Sequence, residues 1–391
     1  MTVRANKPAF NFREKLKELE RPIGIKGNEL MRAETAQDAR DLVSAGRKNM
    51  VINGDIRISQ RYGTTATTIT SGGFVIDRYR CEDNTDASTT HQQVTDAPPG
   101  FHNSLKVTVT GTDTSVAAGD FHYFRNIIEG YDISHLNWGS SNAKTVTLSF
   151  WVKSSVVGDH GASLWNNAFD RSFPFHYTIN NPDTWEYKSI TVPGCPDGTW
   201  ESGTSRGINI GFVQSVGSTY QGPPGQWNSA GDVGPTNHVN LTATNGATWY
   251  ITGIQLEVGR NATDFEHRPY AEELALCQRY FYINGGEEHD IISQAFSPHT
   301  TEIAVAWPHP TEMRAAPTVT VSGTNSDNTD FYFRTINNTG FSLTGNGREL
   351  SQMTKHHASI WFNGMSGVPA VPGQVRVQND RTAFIHLSAE L

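Results

Sequence analysis

The sequence predicts a mainly β protein: a short helical N-terminal anchor, a jelly-roll β-sandwich, then a smaller C-terminal β-sandwich. Three observations carry this reading. Hydrophobic residues make up 36% of the 391 residues and charged residues 18%, both low for a soluble intracellular enzyme. Gly, Thr, Ser, Asn and aromatic residues fill the difference, as they do in short strands joined by many turns. Beyond Asn49 the apolar residues recur mostly with period two, whereas the first 48 residues are the one strongly helical segment.

Residues 1–48 carry two short helices. Arg13 to Glu20 (REKLKELE) consists of good helix formers and stops at Pro22, which cannot continue a helix. Thr35 and Asp38 form a capping box, Ala39, Leu42 and Val43 make one apolar stripe, and Gly46 stands where a C′ glycine belongs. So few apolar residues cannot bury a core, so the segment is expected to order on a partner. Its candidate docking side chains are Phe10, Arg13, Lys15, Leu16, Leu19, Leu42 and Val43. Eleven basic against seven acidic residues give this segment +4 and leave −12 on the remainder. Because the basic residues alternate with Glu, docking to an acidic protein is expected rather than nucleic-acid binding. No run of 18 apolar residues exists and no apolar stretch follows the N-terminal charges, so neither membrane insertion nor a secretory leader is expected. Cys81, Cys195 and Cys277 lack CxxC spacing, which predicts buried free thiols and folding in a reducing cytoplasm.

Residues 49–270 read as the jelly roll. Asn53-Gly54 marks a turn after Met50, Val51 and Ile52. Strands are expected at Leu105 to Val109, Val146 to Val152, Trp185 to Val192, Ile208 to Val213 and Trp249 to Val258, with long polar loops between them. Residues 271–391 open on a helical turn in AEELALCQRY. Short strands then follow at Glu302 to Trp307, Thr318 to Val321, Phe331 to Phe333, Phe341 to Leu343, Ile360 to Phe362, Val375 to Val377 and Ala383 to Leu387. The two sandwiches share no internal repeat.

Several stretches are familiar as a set. RANKPAFNF (Arg4 to Phe12), REKLKEL, MRAET and AGRKNMVINGDIRISQR resemble the N-terminal anchor of predicted tail-fibre proteins of marine phages, cyanophages especially. GGFVIDRYR, TLSFWVKSS, TWEYKSITVPG, YITGIQLEVGRNATDFEHRPY and EELALCQRYF continue the pattern, with Tyr79 where Trp is usual and Asp264-Phe265-Glu266 where PFE is usual. The resemblance covers about half of residues 1–281. It implies a phage appendage whose middle domain is similar to a jelly-roll carbohydrate-binding module; the C-terminal sandwich is similar to H-type lectins. Such modules often hold a structural calcium, for which Asp55 and Gln255 or Glu257 are the candidate ligands. No other cofactor is expected.

Catalytic machinery is not evident. GxSxG, HExxH, Walker and GxGxxG motifs are missing, and Asp159, Asp170, Asp183, Asp232 and Asp264 sit in loops where Asp makes turns. His356 and His357 are adjacent on a strand and point to opposite faces, and His160, His176 and His238 lack ligand spacing. Sugar recognition needs only exposed aromatic planes bordered by hydrogen-bonding side chains. Trp151, Trp185 and Trp249 fall inside strand patterns and are expected in the core. Trp165, Trp200, Trp227 and Tyr220 fall in Gly/Ser/Asn-rich loops beside Asn166, Asn167, Asp170, Gln226 and Asn228. The carbohydrate-binding candidates are therefore Trp165, Asn166, Asp170, Trp200, Tyr220, Gln226 and Trp227. The expected protein is a non-enzymatic, homotrimeric tail-fibre or receptor-binding subunit of the virion. It is made in the host cytoplasm, docks on other virion proteins through residues 1–48, and binds host-surface polysaccharide. A structural adaptor or decoration protein is the alternative, and a glycan-cleaving depolymerase a more distant one.

Overall fold

The computed structural model describes residues 48–69, 71–286, 290–322, 331–335, 337, 340–343, 347–363, 368–377 and 384–391. The two helices expected near the N-terminus and the candidate docking side chains Phe10, Arg13, Lys15, Leu16, Leu19, Leu42 and Val43 lie outside them. Asn49–Leu391 forms one compact unit. It is mainly β, as expected.

Two antiparallel sheets form the first sandwich. One runs in the order β1 (Phe74–Ile76), β2 (Tyr79–Asp83), β5 (Phe121–Glu129), β10 (Arg206–Val216), β7 (Gly158–Trp165) and β8 (Ser172–Ile179). The other runs β3 (Ser88–Val94), β4 (Ser104–Gly111), β13 (Thr248–Val258), β6 (Val146–Ser154) and β9 (Glu186–Val192). A two-residue parallel pair, β11 (Gln221–Gly222) with β12 (Gly234–Pro235), closes a long loop. Period-two alternation sends Leu105, Val107 and Val109, Leu148, Phe150 and Val152, and Trp249 and Ile251 into one core with Phe124, Phe175 and Phe212 of the facing sheet.

All five strands expected in this region are present. Of the other strands in the two sheets, β1, β2, β3, β5, β7 and β8 were not expected; β3 lacks an apolar alternation, whereas β8 has one, with Phe173, Phe175, Tyr177 and Ile179 inward. Thr89, His91 and Gln93 of β3 are buried, as are Ala162 and Ser163 of β7.

The second sandwich pairs a three-stranded sheet with a seven-stranded one. The first has the order β14 (Phe281–Gly285), β23 (Phe384–Ser388), β17 (Thr318–Ser322). The second runs β19 (Gly340–Ser342), β18 (Phe331–Thr335), β22 (Pro372–Val377), β15 (Ile291–His299), β16 (Glu302–Pro308), β21 (His357–Asn363), β20 (Gly347–Met353). Ile303, Val305, Phe331, Phe333, Ile360, Val375, Ile385 and Leu387 fill its separate core.

The helical turn expected in AEELALCQRY is a helix over Tyr270–Gln278, preceded by a single-turn helix at Gly130–Ile133. At this joint Arg268 donates to the carbonyls of Asn49 and Val51 and contacts Glu273 at 3.3 Å. All three cysteines are buried free thiols.

Candidate functional site

The loop residues singled out from the sequence divide three ways. Trp165 is not a loop aromatic: it ends β7, is only 2% exposed, and packs with Tyr123, Val213, Val216 and Val233. Its ring lies so close over Gly211 that a Cβ there would stand 2.4 Å from it. Asn166 is buried as well. Its Oδ1 accepts from the backbone N–H groups of Asp170 and Arg171, and its Nδ2 donates to Asp170, so it organises the turn rather than facing a ligand. Both are withdrawn as sugar contacts, since a side chain without exposed surface cannot stack on or hydrogen-bond a ligand. Asp170, the turn's other member, remains exposed.

Trp200 and Trp227 are brought together with Trp138, which sequence reasoning had not singled out. Their ring centroids are 4.6, 5.3 and 5.6 Å apart in near-perpendicular contacts. Each indole N–H already donates to a backbone carbonyl, Trp138 to Lys144, Trp200 to Asp197 and Trp227 to Pro193. With its polar atoms so committed, the trio reads as a packing knot that closes the loops at this end. Tyr220 leans on Phe121 at 5.5 Å, apart from that trio, and Gln226 is exposed and donates to Asn228.

A larger aromatic surface lies on the outer face of the five-stranded sheet. Trp151 and Trp185, expected in the core, are half-exposed there, and of the three strand tryptophans Trp249 alone is buried as expected. The reason is parity. Leu148, Phe150 and Val152 point inward, so Trp151 must point outward. Across the strands Trp151 pairs with Tyr187, which is 45% exposed, their rings 5.4 Å apart. One row along, Gln92, Lys106, Tyr250 and Lys153 are successive cross-strand neighbours. Trp185 meets Tyr250 at 6.1 Å. Gly253, at φ 64°, leaves room where a Cβ would sit 2.7 Å from Phe101 and 3.1 Å from Trp151. Phe101 continues the surface to Phe265 at 5.0 Å.

Charge is set into this surface. Lys153 pairs with Asp96, and its ammonium lies 4.2 Å from the Tyr250 ring centroid and 5.3 Å from that of Trp185. The Trp185 indole donates to the other oxygen of Asp96 at 3.2 Å. Partial burial works against the Asp96 carboxylate, but the hydrogen bonds from Lys153 and Trp185 outweigh it and hold the group below the usual range. Flat rings bordered by fixed donors and acceptors suit a ligand with apolar CH faces and equatorial hydroxyls.

The remaining candidates have protein partners. Asp55 pairs with Arg57, and Glu257 accepts from Gln255 and from both the amide and hydroxyl of Thr263, at 2.8 and 2.6 Å. Asp232 binds Ser172 and Asn228 in the loop that β11 and β12 close.

No protein-family model and no curated protein matches the chain. Among solved structures it is similar to the enzymatically active domain of tailspike protein 4 of bacteriophage CBA120, at 12% identity and TM-score 0.29 over 54% of this chain and 21% of that one. It is also similar to a family 11 carbohydrate-binding module from Clostridium thermocellum, at 14% identity and TM-score 0.25 over 51% and 98% of the two chains. A CBM22 xylan-binding domain from Paenibacillus barcinonensis matches at 10% identity and TM-score 0.25, over 51% and 98%.

Proposed function

We propose that this chain is a glycan-binding subunit of a phage tail fibre or receptor-binding appendage, and that the outer face of the five-stranded sheet is its sugar platform. One observation carries the reading: Trp151, Tyr187, Trp185 and Tyr250 gather on a single solvent-facing sheet surface, interleaved with Lys106, Lys153 and Asp96. Pyranose rings stack on such planes while the Lys106 ammonium and the Asp96 carboxylate, which buried Lys153 holds in place, hydrogen-bond the hydroxyls. A rigid sheet holds these side chains in place before the ligand arrives, which limits the ordering cost of a shallow site. In this reading residues 1–48 dock on the virion, copies trimerise, and the sandwiches present the platform to host-surface polysaccharide without cleaving it. Weak single sites then gain avidity from their number.

The test is retention of the full chain on immobilised host polysaccharide. Trp151→Ala and Tyr187→Ala should each weaken binding by about 1–3 kcal/mol, by analogy with bases stacked on aromatic side chains, and the melting temperature should barely move. Unchanged binding in the double variant would dismiss the platform. Release of shorter glycans from the polysaccharide would replace the binding reading with a cleaving one.

A further inference from the structure

We propose that Cys81, His91 and His122 form a buried zinc site that staples the two sheets of the first sandwich. Cys81 lies on β2 and His122 on β5, in the six-stranded sheet, whereas His91 lies on β3 of the five-stranded sheet. One ligand atom from each residue lies within 4.8 Å of the other two. All three side chains are buried, His91 at 2% exposure and the others at none.

The hydrogen bonding around them is incomplete. Both histidines turn Nε2 toward Thr89 Oγ1, at 2.9 and 3.4 Å, and the Nδ1 of each has no partner. Ser215, opposite His122 in the β5–β10 register, also buries an Oγ without a partner. Interiors rarely leave such atoms unmatched, and a cluster of them beside a thiol is what a metal centre looks like when only its protein atoms are considered.

The donor set selects the ion. A thiolate with two imidazoles favours zinc over oxygen-seeking calcium or magnesium. Ligand atoms around tetrahedral zinc lie about 3.5 Å apart, so side-chain shifts of about 1 Å close the group. Thr89 Oγ1, between the two Nε2 atoms, holds both rings in orientation. On binding, the Cys81 S–H bond breaks, its proton leaves to solvent and the sulfur's electron pair bonds the metal, while both histidines bind as neutral rings. The ion's remaining positive charge is met by Asp83, which shares the Cys81 face of β2, whereas Glu82 faces the other way and pairs with Arg80 and Arg125. Because the ligands come from both sheets, the ion enters as the sheets close and ties them as a disulfide would.

The experiment titrates the purified full chain, stripped of metal, with Co2+ and then Zn2+. A sulfur-to-cobalt charge-transfer band saturating at one equivalent, and displaced by zinc, is expected. Zinc should raise the thermal midpoint by on the order of 10 °C. Cys81→Ala should lose the band and that shift while keeping a β-rich circular dichroism spectrum. If this variant does not fold, the wild-type cobalt spectrum decides alone. No band and no shift in the wild type, or an undiminished cobalt response in a folded Cys81→Ala, overturns the site.

Discussion

Trp151 and Trp165 exchange the parts that their sequence surroundings suggest. VTLSFWV looks like a buried run and SLWNNAFD like a loop, yet the first tryptophan faces out and the second is buried. The information for Trp151 was present: Phe150 and Val152 could enter the core only if the residue between them did not. For Trp165 it was not, because what covers this face of the sheet is the distant loop that supplies Val233. Substitution should reflect the exchange. Trp165→Ala empties a packed site and should destabilise by about 3–5 kcal/mol in urea denaturation. Trp151→Ala removes a ring already half in water and should cost under about 1 kcal/mol. Equal losses would mean that Trp151 supports the sheet rather than a ligand.

Apolar inward faces made some strands legible and a polar one hid β3, although β8, with Phe173, Phe175, Tyr177 and Ile179 inward, carried the same signal. β6 and β13 could be read directly. β3 could not, because Thr89, His91 and Gln93 face inward, with Gln93 donating to the carbonyl of Ile56 at 2.6 Å. β23 shows what a polar inclusion does in the second sandwich. His386 sits between Ile283 of β14 and Thr320 of β17, stacked 4.0 Å from Phe384 and edge-on to Phe281 at 5.1 Å. Burial first, and the Arg61 guanidinium second, push its pKa down to about 4. An unfolded histidine takes up its proton near pH 6.5, so between pH 6.5 and about 4 the unfolded chain binds more protons than the folded one. Stability at this residue is therefore lost as pH falls through that window, by up to about 1.4 kcal/mol per pH unit at full burial, and by less here because the ring is half-buried. His160, His238 and His309 are shifted the same way by burial. Thermal midpoints should fall from pH 7 to pH 4.5, and His386→Leu should flatten part of that slope. An unchanged slope would mean the ring is solvated in the native protein.

At the scale of the whole molecule, the proposed function gives residues 1–48 and the two sandwiches different work. Deleting residues 1–48 should leave a folded protein, since Asn49–Leu391 holds both cores. It should also abolish incorporation into particles, scored by immunoblot of purified virions; normal incorporation would refute the anchor. What the sequence could not announce is how the two sandwiches meet, because the partners are up to 329 residues apart. Arg78, buried on the first sandwich, pairs with Glu390 at the end of the second, donates to the carbonyl of Ile127 and lies 3.4 Å from the Tyr280 ring centroid. Glu129 of β5 answers from the first sandwich, accepting from Arg279 at 2.7 Å and from the Tyr280 hydroxyl at 2.6 Å. Ile52, Ile127, Tyr280 and Leu391 pack beside them. Buried pairs of this kind add little over a well-packed apolar substitute, but removing one partner strands the other charge in a dry site, at about 3–5 kcal/mol. Glu390→Ala should therefore destabilise by about that much, although it removes no apolar core side chain. Arg78→Met combined with Glu390→Leu should recover only part of the loss, because Arg78 is no longer stranded but Arg61, which also pairs with Glu390 at 3.2 Å, keeps just its contacts with the Phe74 and Phe281 rings. Followed by tryptophan fluorescence in urea, the wild-type 49–391 unit should unfold in one transition if this junction couples the cores. Two separate transitions, with Glu390→Ala moving neither, would mean that the sandwiches unfold independently and that the buried ions merely set their orientation.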